Sequence, residues 1–413
     1  MSTEKTFTRI LKWPGYRVYR HELNEKRKTL RLWVEKKPSR QQQYLCSGCG
    51  QKLEQCHDRR EREVRDLPWS VYRVTVVLTV YRVNCSQCGV KTEKIEPLPG
   101  KAPFSLRFED EVGLACENTP VRQVARRLGL GESTVRSIDQ RYLERWRQSR
   151  KVPDVRRMGI DEIYLGRQAK FITVVSDLDT GEPIWFGPDR KKETLDRFFQ
   201  EVLTESQREL MEAACVDMWE PYTQSLQQWV PHCRIVYDKF HVLQHANRAV
   251  DEVRRAEFFR KGAQQRQLIK GKRWLLLSGW ENLNRKQKNR LQQLFTLNRR
   301  ILKAYLLKES LEQLWSYTYE GAASRFLLAW LDQLKWQRLK PFEKLGAMLA
   351  KHYDGLMNYC KVKVPFGVVE ALNSTIRAVI RRGRGYKNTE YLLLKVQKEI
   401  ASRAEFTVAR KAA

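Results

Sequence analysis

Three acidic residues carry the chemistry that this chain is best suited to perform. Asp161 lies near the end of the apolar, strand-like run Met-Gly-Ile-Asp-Glu-Ile-Tyr-Leu, and Asp217 ends the run Ala-Ala-Cys-Val-Asp. Glu370 lies far downstream, in a helix-like segment that becomes strongly basic. A carboxylate in an apolar run is costly unless a partner or a metal ion binds it. Two strand acids and one helix acid therefore point to two divalent ions, Mg²⁺ or Mn²⁺, acting on a phosphodiester.

Other acids compete for the same roles. Glu162 is the alternative to Asp161, and neighbouring strand residues face opposite sides of a sheet, so only one of the two can point into the site. Asp238 and His241 follow a predicted strand close to the expected site, and they are candidates for supporting the metal ligands or contacting DNA. Asp177 and Asp179 are expected to cap a turn.

The third acid also has rivals, Glu343 and Glu390. Only Glu370 is followed on its own helical face by Asn373 and Arg377. Beyond it lies a basic run with an aromatic residue, which is suited to holding a DNA backbone beside the metal ions. The candidate DNA-binding residues of this run are Arg377, Arg381, Arg382, Arg384 and Lys387.

Four of the nine cysteines form two matched pairs, Cys46-Ser-Gly-Cys49-Gly and Cys85-Ser-Gln-Cys88-Gly. Two residues between cysteines let both thiolates bind one tetrahedral Zn²⁺, and the glycine after each pair accepts a positive φ. The β-rich spacer predicts a zinc ribbon with an extended hairpin. Cys56 and His57 are possible substitute ligands, although four thiolates already complete the site.

Residues 119–138 have the pattern of a helix-turn-helix. Small and apolar residues space two helices around the turn Gly129-Leu130-Gly131. The exposed face of the second helix would reach base edges or phosphates in a major groove. The candidate contact residues on that face are Ser133, Arg136, Ser137 and Gln140.

The elements that must position these residues follow from periodicity. Residues 1–100 alternate as strands do, and 108–146 have a helical period. An α/β region comes next, with strands predicted at 158–165, 170–177, 183–186, 212–217 and 234–237, and helices at 192–203 and 222–229. Residues 239–355 show only helical periodicity, and further helices are predicted at 368–380 and 389–404. This order fits a ribonuclease-H-like sheet with Asp161 on its first strand and Asp217 on its fourth.

Composition limits the class of partner. The 413 residues carry 78 Lys and Arg against 48 Asp and Glu, a net charge of +30, which favours a polyanion such as DNA. No apolar run reaches the ~18 residues of a membrane span, and the start lacks a signal-peptide core. We therefore expect a cytoplasmic, nucleoid-associated protein without a membrane partner.

These motifs together resemble the DDE transposases of bacterial insertion sequences, in the ISL3 family. The resemblance covers nearly the whole chain. The motifs that carry it are Gly159-Ile-Asp-Glu, Val216-Asp-Met-Trp-Glu-Pro-Tyr, Val236-Tyr-Asp-Lys-Phe-His-Val, and Gly367-Val-Val-Glu-Ala-Leu-Asn-Ser-Thr-Ile-Arg followed by Arg381-Arg-Gly-Arg-Gly-Tyr. It implies that Asp161, Asp217 and Glu370 are the metal ligands, and it favours Asp161 over Glu162.

The resemblance also implies a domain order and a function. We expect a zinc-ribbon domain at 1–100, a helix-turn-helix at 101–150, the two parts of a catalytic domain at 151–250 and 356–413, and a helical insertion at 251–355. The expected activity is binding of the element's terminal inverted repeats, then metal-dependent cleavage and strand transfer by at least a dimer. Two alternatives stay open, a catalytically inactive DNA-binding regulator and a nuclease without strand transfer.

Overall fold

The computed structural model describes residues 3–38, 43–165, 171–260, 262–383, 385–386 and 388–412, and it leaves the side chains of 264, 265 and 402–412 undescribed. The chain divides into two compact units, Met1–Arg150 and Lys151–Ala413. Each unit has its own hydrophobic core.

The first unit is β-rich and ends in three helices. A helix precedes the strands, which the alternating pattern of residues 1–100 did not predict. The elements are α1 (Thr3–Leu11), β1 (Tyr16–Asn24), β2 (Thr29–Lys36), β3 (Tyr44–Leu45), β4 (Lys52–Leu53), β5 (Asp58–Arg65), β6 (Arg73–Cys85), β7 (Gly89–Thr92), α2 (Leu106–Asn118), α3 (Val121–Leu128) and α4 (Glu132–Ser149).

The main sheet of this unit has the order β1-β2-β6-β5, with β7 paired to β6. The strands β1 and β2 form an antiparallel hairpin, and β2 runs parallel to β6. Alternate residues of β2 and β6, such as Leu30, Leu32, Val74 and Val76, are buried in one core. The predicted period-2 pattern is therefore confirmed, and the long antiparallel pair β5–β6 is the expected extended hairpin.

The helices α2, α3 and α4 form a second core in the first unit, around Phe108, Val124, Ala125, Val135 and Ile138. The small and apolar residues that space these helices around the turn are thus buried in their shared core.

The second unit is a mixed sheet packed between helices. Its first elements are β8 (Arg157–Ile163), β9 (Ile172–Asp177), β10 (Pro183–Gly187), α5 (Lys192–Arg197), α6 (Glu205–Glu209), β11 (Ala213–Val216), α7 (Glu220–Trp229) and β12 (Arg234–Tyr237). A π-helical turn, Phe198–Val202, continues α5. All five predicted strands are present, although residue 170, the predicted start of the second, lies outside the described residues.

The remaining elements are helical, as the periodicity predicted. They are α8 (Lys239–Arg260), α9 (Ala263–Ile269), α10 (Arg273–Leu277), α11 (Arg285–Leu297), α12 (Arg299–Glu312), α13 (Glu320–Gln337), α14 (Lys340–Lys351), α15 (Tyr353–Lys361), α16 (Gly367–Gly383) and α17 (Thr389–Ala412). The block from α8 to α15 shares one continuous core with a face of the sheet. Across the described part of the chain, every helix is too short or too polar to cross a membrane.

The sheet of the second unit has the order β10-β9-β8-β11-β12. The strands β8, β11 and β12 run parallel, and β9 is antiparallel to both of its neighbours. Met158 and Ile160 of β8 enter the core shared with α5 and α7, whereas Ile163 packs against α16 and α17 on the other face. Because side chains of β8 alternate in this way, Asp161 faces α16 and Glu162 faces the opposite side of the sheet.

Candidate active site and nucleic-acid interface

Two of the three predicted acids lie side by side at one edge of the sheet. Because β8 and β11 are parallel, their carboxyl ends meet at the same edge. Cys215 pairs with Gly159, and Asp217 and Asp161 each lie two residues further along the chain, Asp217 directly after β11. The side chain of Asp161 is 14% exposed and that of Asp217 is 37% exposed, so both carboxylates can reach a ligand from solvent.

The third acid is on a helix that approaches β8 very closely. A Cβ atom on Gly159 would lie 2.7 Å from Ser176 Oγ, 2.8 Å from Leu178 Cδ2 and 3.0 Å from Val369 Cγ2, so any larger residue there would force these side chains to shift. Val369 is on α16, directly before Glu370. The missing side chain of Gly159 therefore lets α16 dock against the strand that carries Asp161.

The contact between α16 and Asp161 is direct. Asn373, one helical turn after Glu370, donates a hydrogen bond from Nδ2 to Asp161 Oδ2. The buried Oδ1 of Asn373 has no partner among the described residues. The Glu370 side chain is exposed and, within the same described part, has no hydrogen-bond or ion-pair partner. The amide of Asn373 thus lies beside Asp161, and the exposed Glu370 lies one helical turn earlier on the same helix.

His241 lies between the two aspartates. Its Nε2 is 3.6 Å from Asp161 Oδ1 and its Nδ1 is 3.6 Å from Asp217 Oδ2. Burial alone would lower the pKa of His241, but the interaction with Asp161 and the negative charges of Asp217 and Asp238 outweigh burial and raise it to about 9. The imidazolium neutralises part of the charge that these carboxylates concentrate at the edge.

Asp238 has a different position. It is buried, and its Oδ1 accepts a hydrogen bond from the Phe240 N–H in the first turn of α8. Burial raises its pKa, and the nearby charges of Asp161 and Asp217 add to that effect. Asp238 therefore caps the helix that presents His241 to the aspartates.

Glu162 points away from α16, as the strand alternation predicted. Its Oε2 lies 3.5 Å from Arg190 Nη1, and burial raises its pKa. Arg190 was not among the predicted site residues. Its guanidinium lies 4.8 Å from the ring centroids of both Phe171 and Trp219, and its carbonyl accepts a hydrogen bond from Trp219 Nε1. The basic stretch Arg190-Lys191-Lys192 was the available signal, but similar stretches recur throughout this chain.

The donor set at this edge fits hard divalent cations. Carboxylate oxygens and an amide oxygen are the ligands that Mg²⁺ and Mn²⁺ prefer. The three acids do not converge as tightly as the cysteines of the first unit. Among the described residues, Cys46, Cys49, Cys85 and Cys88 form the one set of three or more Cys, His, Asp or Glu whose ligand atoms all lie within 4.8 Å of one another.

The cysteine cluster is a complete tetrathiolate site. Cys49 Sγ lies 3.5 Å from Cys85 Sγ, close to the ~3.8 Å that follows for sulfurs bound ~2.3 Å from one Zn²⁺. Gly50 and Gly89 have φ of +77° and +69°, as predicted for the knuckles. Backbone N–H groups of Cys49 and Gly48 lower the pKa of the Cys46 thiol to about 7, which favours the thiolate that zinc binds. Cys56 is exposed and lies outside the cluster.

The predicted contact surface of the helix-turn-helix is available. Ser133, Arg136 and Ser137 are exposed on α4, and Gln140 is half-buried. Gly129 has φ of +60° at the turn between α3 and α4, which favours glycine there. Other arginines of α4 have a structural role, because Arg141 and Arg145 pair with the buried Glu109.

The basic run after Glu370 divides into two groups. Arg377 and Arg381 are exposed on α16. Arg382 is half-buried and pairs with Glu399 of α17, so it joins the two helices. Arg384 and Lys387 lie outside the described residues.

Three family models match consecutive segments of this chain. One described as a zinc-finger of transposase IS204/IS1001/IS1096/IS1165 matches residues 42–88, and one described as the helix-turn-helix domain of transposase family ISL3 matches residues 93–143. The ISL3 model of the DDE type, described as a transposase, matches residues 158–396. The three segments therefore coincide with the cysteine cluster, the three-helix core and the carboxylate edge.

Similar proteins extend over most of the chain. The transposase for insertion sequence element IS1001 from Bordetella parapertussis is 32% identical over 396 residues, which is 93% of this chain and 95% of that protein. The transposases for insertion sequence element IS1557 from two Mycobacterium tuberculosis strains are 27% identical over 380 residues, 84% of each chain. This chain belongs to the ISL3 family of DDE transposases.

Proposed function

We propose that this protein binds the terminal inverted repeats of its own insertion sequence and catalyses metal-dependent cleavage and strand transfer of DNA. The observation that carries the proposal is the docking of α16 on β8 through Gly159. It brings the helix that bears Glu370 and Asn373 against Asp161, while the strand pairing puts Asp217 beside Asp161.

In this proposal Asp161, Asp217 and Glu370 hold two Mg²⁺ or Mn²⁺ ions. Such ions, when bound, activate the attacking oxygen and stabilise the leaving oxygen of the phosphodiester. Asn373 fixes the orientation of the Asp161 carboxylate through its hydrogen bond. His241 holds the two aspartates near each other, and Asp238 supports it by capping α8.

The second unit is proposed to be a ribonuclease-H-like catalytic domain. Its strand order, with Asp161 on the first strand and Asp217 directly after the fourth, supports this assignment. Residues 151–250 and 356–413 would form the catalytic domain, and the helices of 251–355 would be an insertion in it. Residues 1–100 and 101–150 would be the ribbon and the helix-turn-helix domains.

The DNA contacts are proposed for both units. Ser133, Arg136, Ser137 and Gln140 would read the element end in its major groove. Arg377 and Arg381, exposed on the helix of Glu370, would contact the phosphate backbone near the metal ions. Two ends must be cut together, so the active form would be at least a dimer, acting on nucleoid DNA in the cytoplasm.

The test is cleavage of a DNA fragment that carries the gene with its native flanks. Purified protein with Mg²⁺ would be compared with Glu370→Gln and, as a matched control, with the same change at the exposed rival, Glu343→Gln. We expect discrete cuts at the flanking repeats by the wild type and the control, and none by Glu370→Gln.

Three other results would redirect the proposal. Cuts that persist in Glu370→Gln would remove this residue from the metal ligands. Cuts without joining of the freed 3′ ends to a target plasmid would indicate a nuclease. Specific binding of the flanks without any cut would indicate an inactive DNA-binding regulator.

A further inference from the structure

We propose that the tip of the β1–β2 hairpin, together with Arg73, is a second DNA-contact site that binds backbone phosphates beside the recognition helix α4. The hairpin tip is defined here as Lys26, Arg27 and Lys28. This inference rests on the proposed binding of DNA by α4. Residues before 42 lie outside all three matched family segments, so the family comparison gives the hairpin no role.

The hairpin tip has a fixed shape and presents its cations to solvent. Lys26, Arg27 and Lys28 are all exposed. Asn24 Oδ1 accepts a hydrogen bond from the Arg27 N–H at 2.9 Å, which pins the turn. Lys28 has φ of +51°, and its Nζ lies 5.5 Å from the centroid of the Tyr72 ring. Three consecutive cations are thus held on an ordered turn.

The tip is attached to the start of β6. Thr29 pairs with Arg73 in the parallel ladder of β2 and β6, and the Arg73 N–H donates to the Lys28 carbonyl at 2.8 Å. The exposed Arg73 therefore extends the positive surface of the tip by one residue on the neighbouring strand.

The same corner of the sheet contacts the turn of the helix-turn-helix. Arg65 Nη2 donates to the carbonyl of Leu128 at 2.7 Å, and its guanidinium lies 4.9 Å from the Phe108 ring centroid. A Cβ atom on Gly129 would lie 3.2 Å from Arg73 Nη2. Two residues later, Gly131 caps the N-terminus of α4. The tip, Arg73 and the recognition helix thus form one continuous surface.

The positive charge of the tip and Arg73, unpaired among the described residues, indicates a negatively charged partner. In the described part of the chain, Lys26, Arg27, Lys28 and Arg73 have no carboxylate partner. Burial lowers the pKa of Arg65, and the positive charge of Arg73 lowers it further, so cations are crowded here. By contrast, Arg122 on α3 pairs with Glu132, and Arg141 and Arg145 pair with Glu109. A duplex seated on α4 would supply the phosphates that this corner lacks.

The test uses two variants of the full-length protein that remove the same charge. Lys26→Gln with Arg27→Gln removes two of the three positive charges of the tip and leaves Lys28. Arg59→Gln with Arg60→Gln neutralises two exposed residues at the opposite end of the β5–β6 ladder. Binding to a duplex carrying the flanking inverted repeat, and to a scrambled duplex of the same length, is measured across a salt series.

Each phosphate contact contributes about 0.9 to the slope of log affinity against log salt. We expect the slope of the tip variant to be shallower than that of the wild type by about 2 on both duplexes. Its preference for the repeat over the scrambled duplex should be retained. The Arg59/Arg60 variant should keep the wild-type slope. Arg27→Lys, which retains the charge, should also keep it, and hydroxyl-radical footprinting should lose protection of one backbone segment in the tip variant alone.

The outcomes separate this inference from the proposed function. Equal slopes for the tip variant and the wild type, or equal losses in both double variants, would overturn the hairpin contact while leaving end recognition intact. A wild type that does not prefer the repeat would instead refute the proposed end recognition. The slope comparison on the scrambled duplex would still decide whether the hairpin binds phosphates, because such contacts do not depend on sequence.

Discussion

The zinc ribbon and the carboxylate edge are both built from metal-binding residue types, yet they are assembled in opposite ways. The four thiols come from two local knuckles, and their sulfurs lie within 4.8 Å of one another. The acids come from single positions on two strands and one helix, and the imidazole of His241 lies between two of them. The first site is set by local turns, whereas the second depends on how distant elements dock.

This difference has a physical basis. The cysteines of each knuckle lie close together because local turns with positive-φ glycines set their positions. Carboxylates at the same spacing would repel one another, and the protein offsets that repulsion with His241 and with the hydrogen bond from Asn373.

The largest expected effect is on the ribbon. Cys46→Ser with Cys85→Ser removes one ligand from each knuckle, and structural zinc contributes on the order of 10 kcal/mol to the folding of small zinc domains. We expect loss of bound zinc, measured by atomic emission, and protease cutting between residues 43 and 92. Binding to the element end should be lost as well. If end binding survives zinc loss, the folded ribbon is not required for binding of the element end.

The next effect tests the docking of α16. Gly159→Ala forces a methyl group to within about 3 Å of Ser176, Leu178 and Val369. We expect a loss of about 1–3 kcal/mol in stability from overpacking. Displacement of Glu370 by about 1 Å should lower the cleavage rate roughly 100-fold. Thermal melting and the flank-cleavage assay measure the two effects.

A matched control comes from the same helix. Gly367 begins α16, and a Cβ atom there would meet nothing within 4 Å. Gly367→Ala should therefore retain cleavage and stability. A wild-type cleavage rate in Gly159→Ala would show that the close approach of α16 to β8 is not needed for the chemistry.

The ribbon could be predicted from sequence almost completely, because everything it needs is local. Two cysteines separated by two residues and followed by glycine specify the knuckle, and Gly50 and Gly89 have the positive φ that this pattern requires. The pairing of the two knuckles follows from one long hairpin, β5–β6, whose alternation is legible in the sequence.

The carboxylate edge could be predicted only in part. The strands and the positions of Asp161 and Asp217 follow from apolar runs that end in an acid. The role of Gly159 cannot be predicted, because a glycine in a strand gives no indication of which helix will pack on it. The sequence also does not predict that His241 lies between the aspartates, or that Arg190 stacks on Phe171 and Trp219. Both depend on tertiary packing between distant segments.

A smaller effect is expected from the hydrogen bond between Asn373 and Asp161. Asn373→Ala removes a donor to a charged acceptor, a loss of about 1.5–3 kcal/mol that corresponds to roughly 10–150-fold in cleavage. Asn373→Asp should be worse, because it puts a second carboxylate against Asp161. Ser374→Ala, at the next and exposed position of α16, is the control. Equal rates for Asn373→Ala and the control would mean that Asp161 is oriented without Asn373.

The smallest effect sharpens the assignment of the zinc ligands. Cys56 and His57 lie within the ribbon segment and could replace a thiolate if the cluster were incomplete. Both are exposed, and His57 Nδ1 lies 3.3 Å from Asp58 Oδ2 instead of facing the four sulfurs. Cys56→Ser with His57→Ala should therefore retain one zinc ion per chain and unchanged end binding, measured as for Cys46→Ser with Cys85→Ser. A halved zinc content would mean that one of these two residues is a ligand, and that the close spacing of the four thiols does not by itself identify the site.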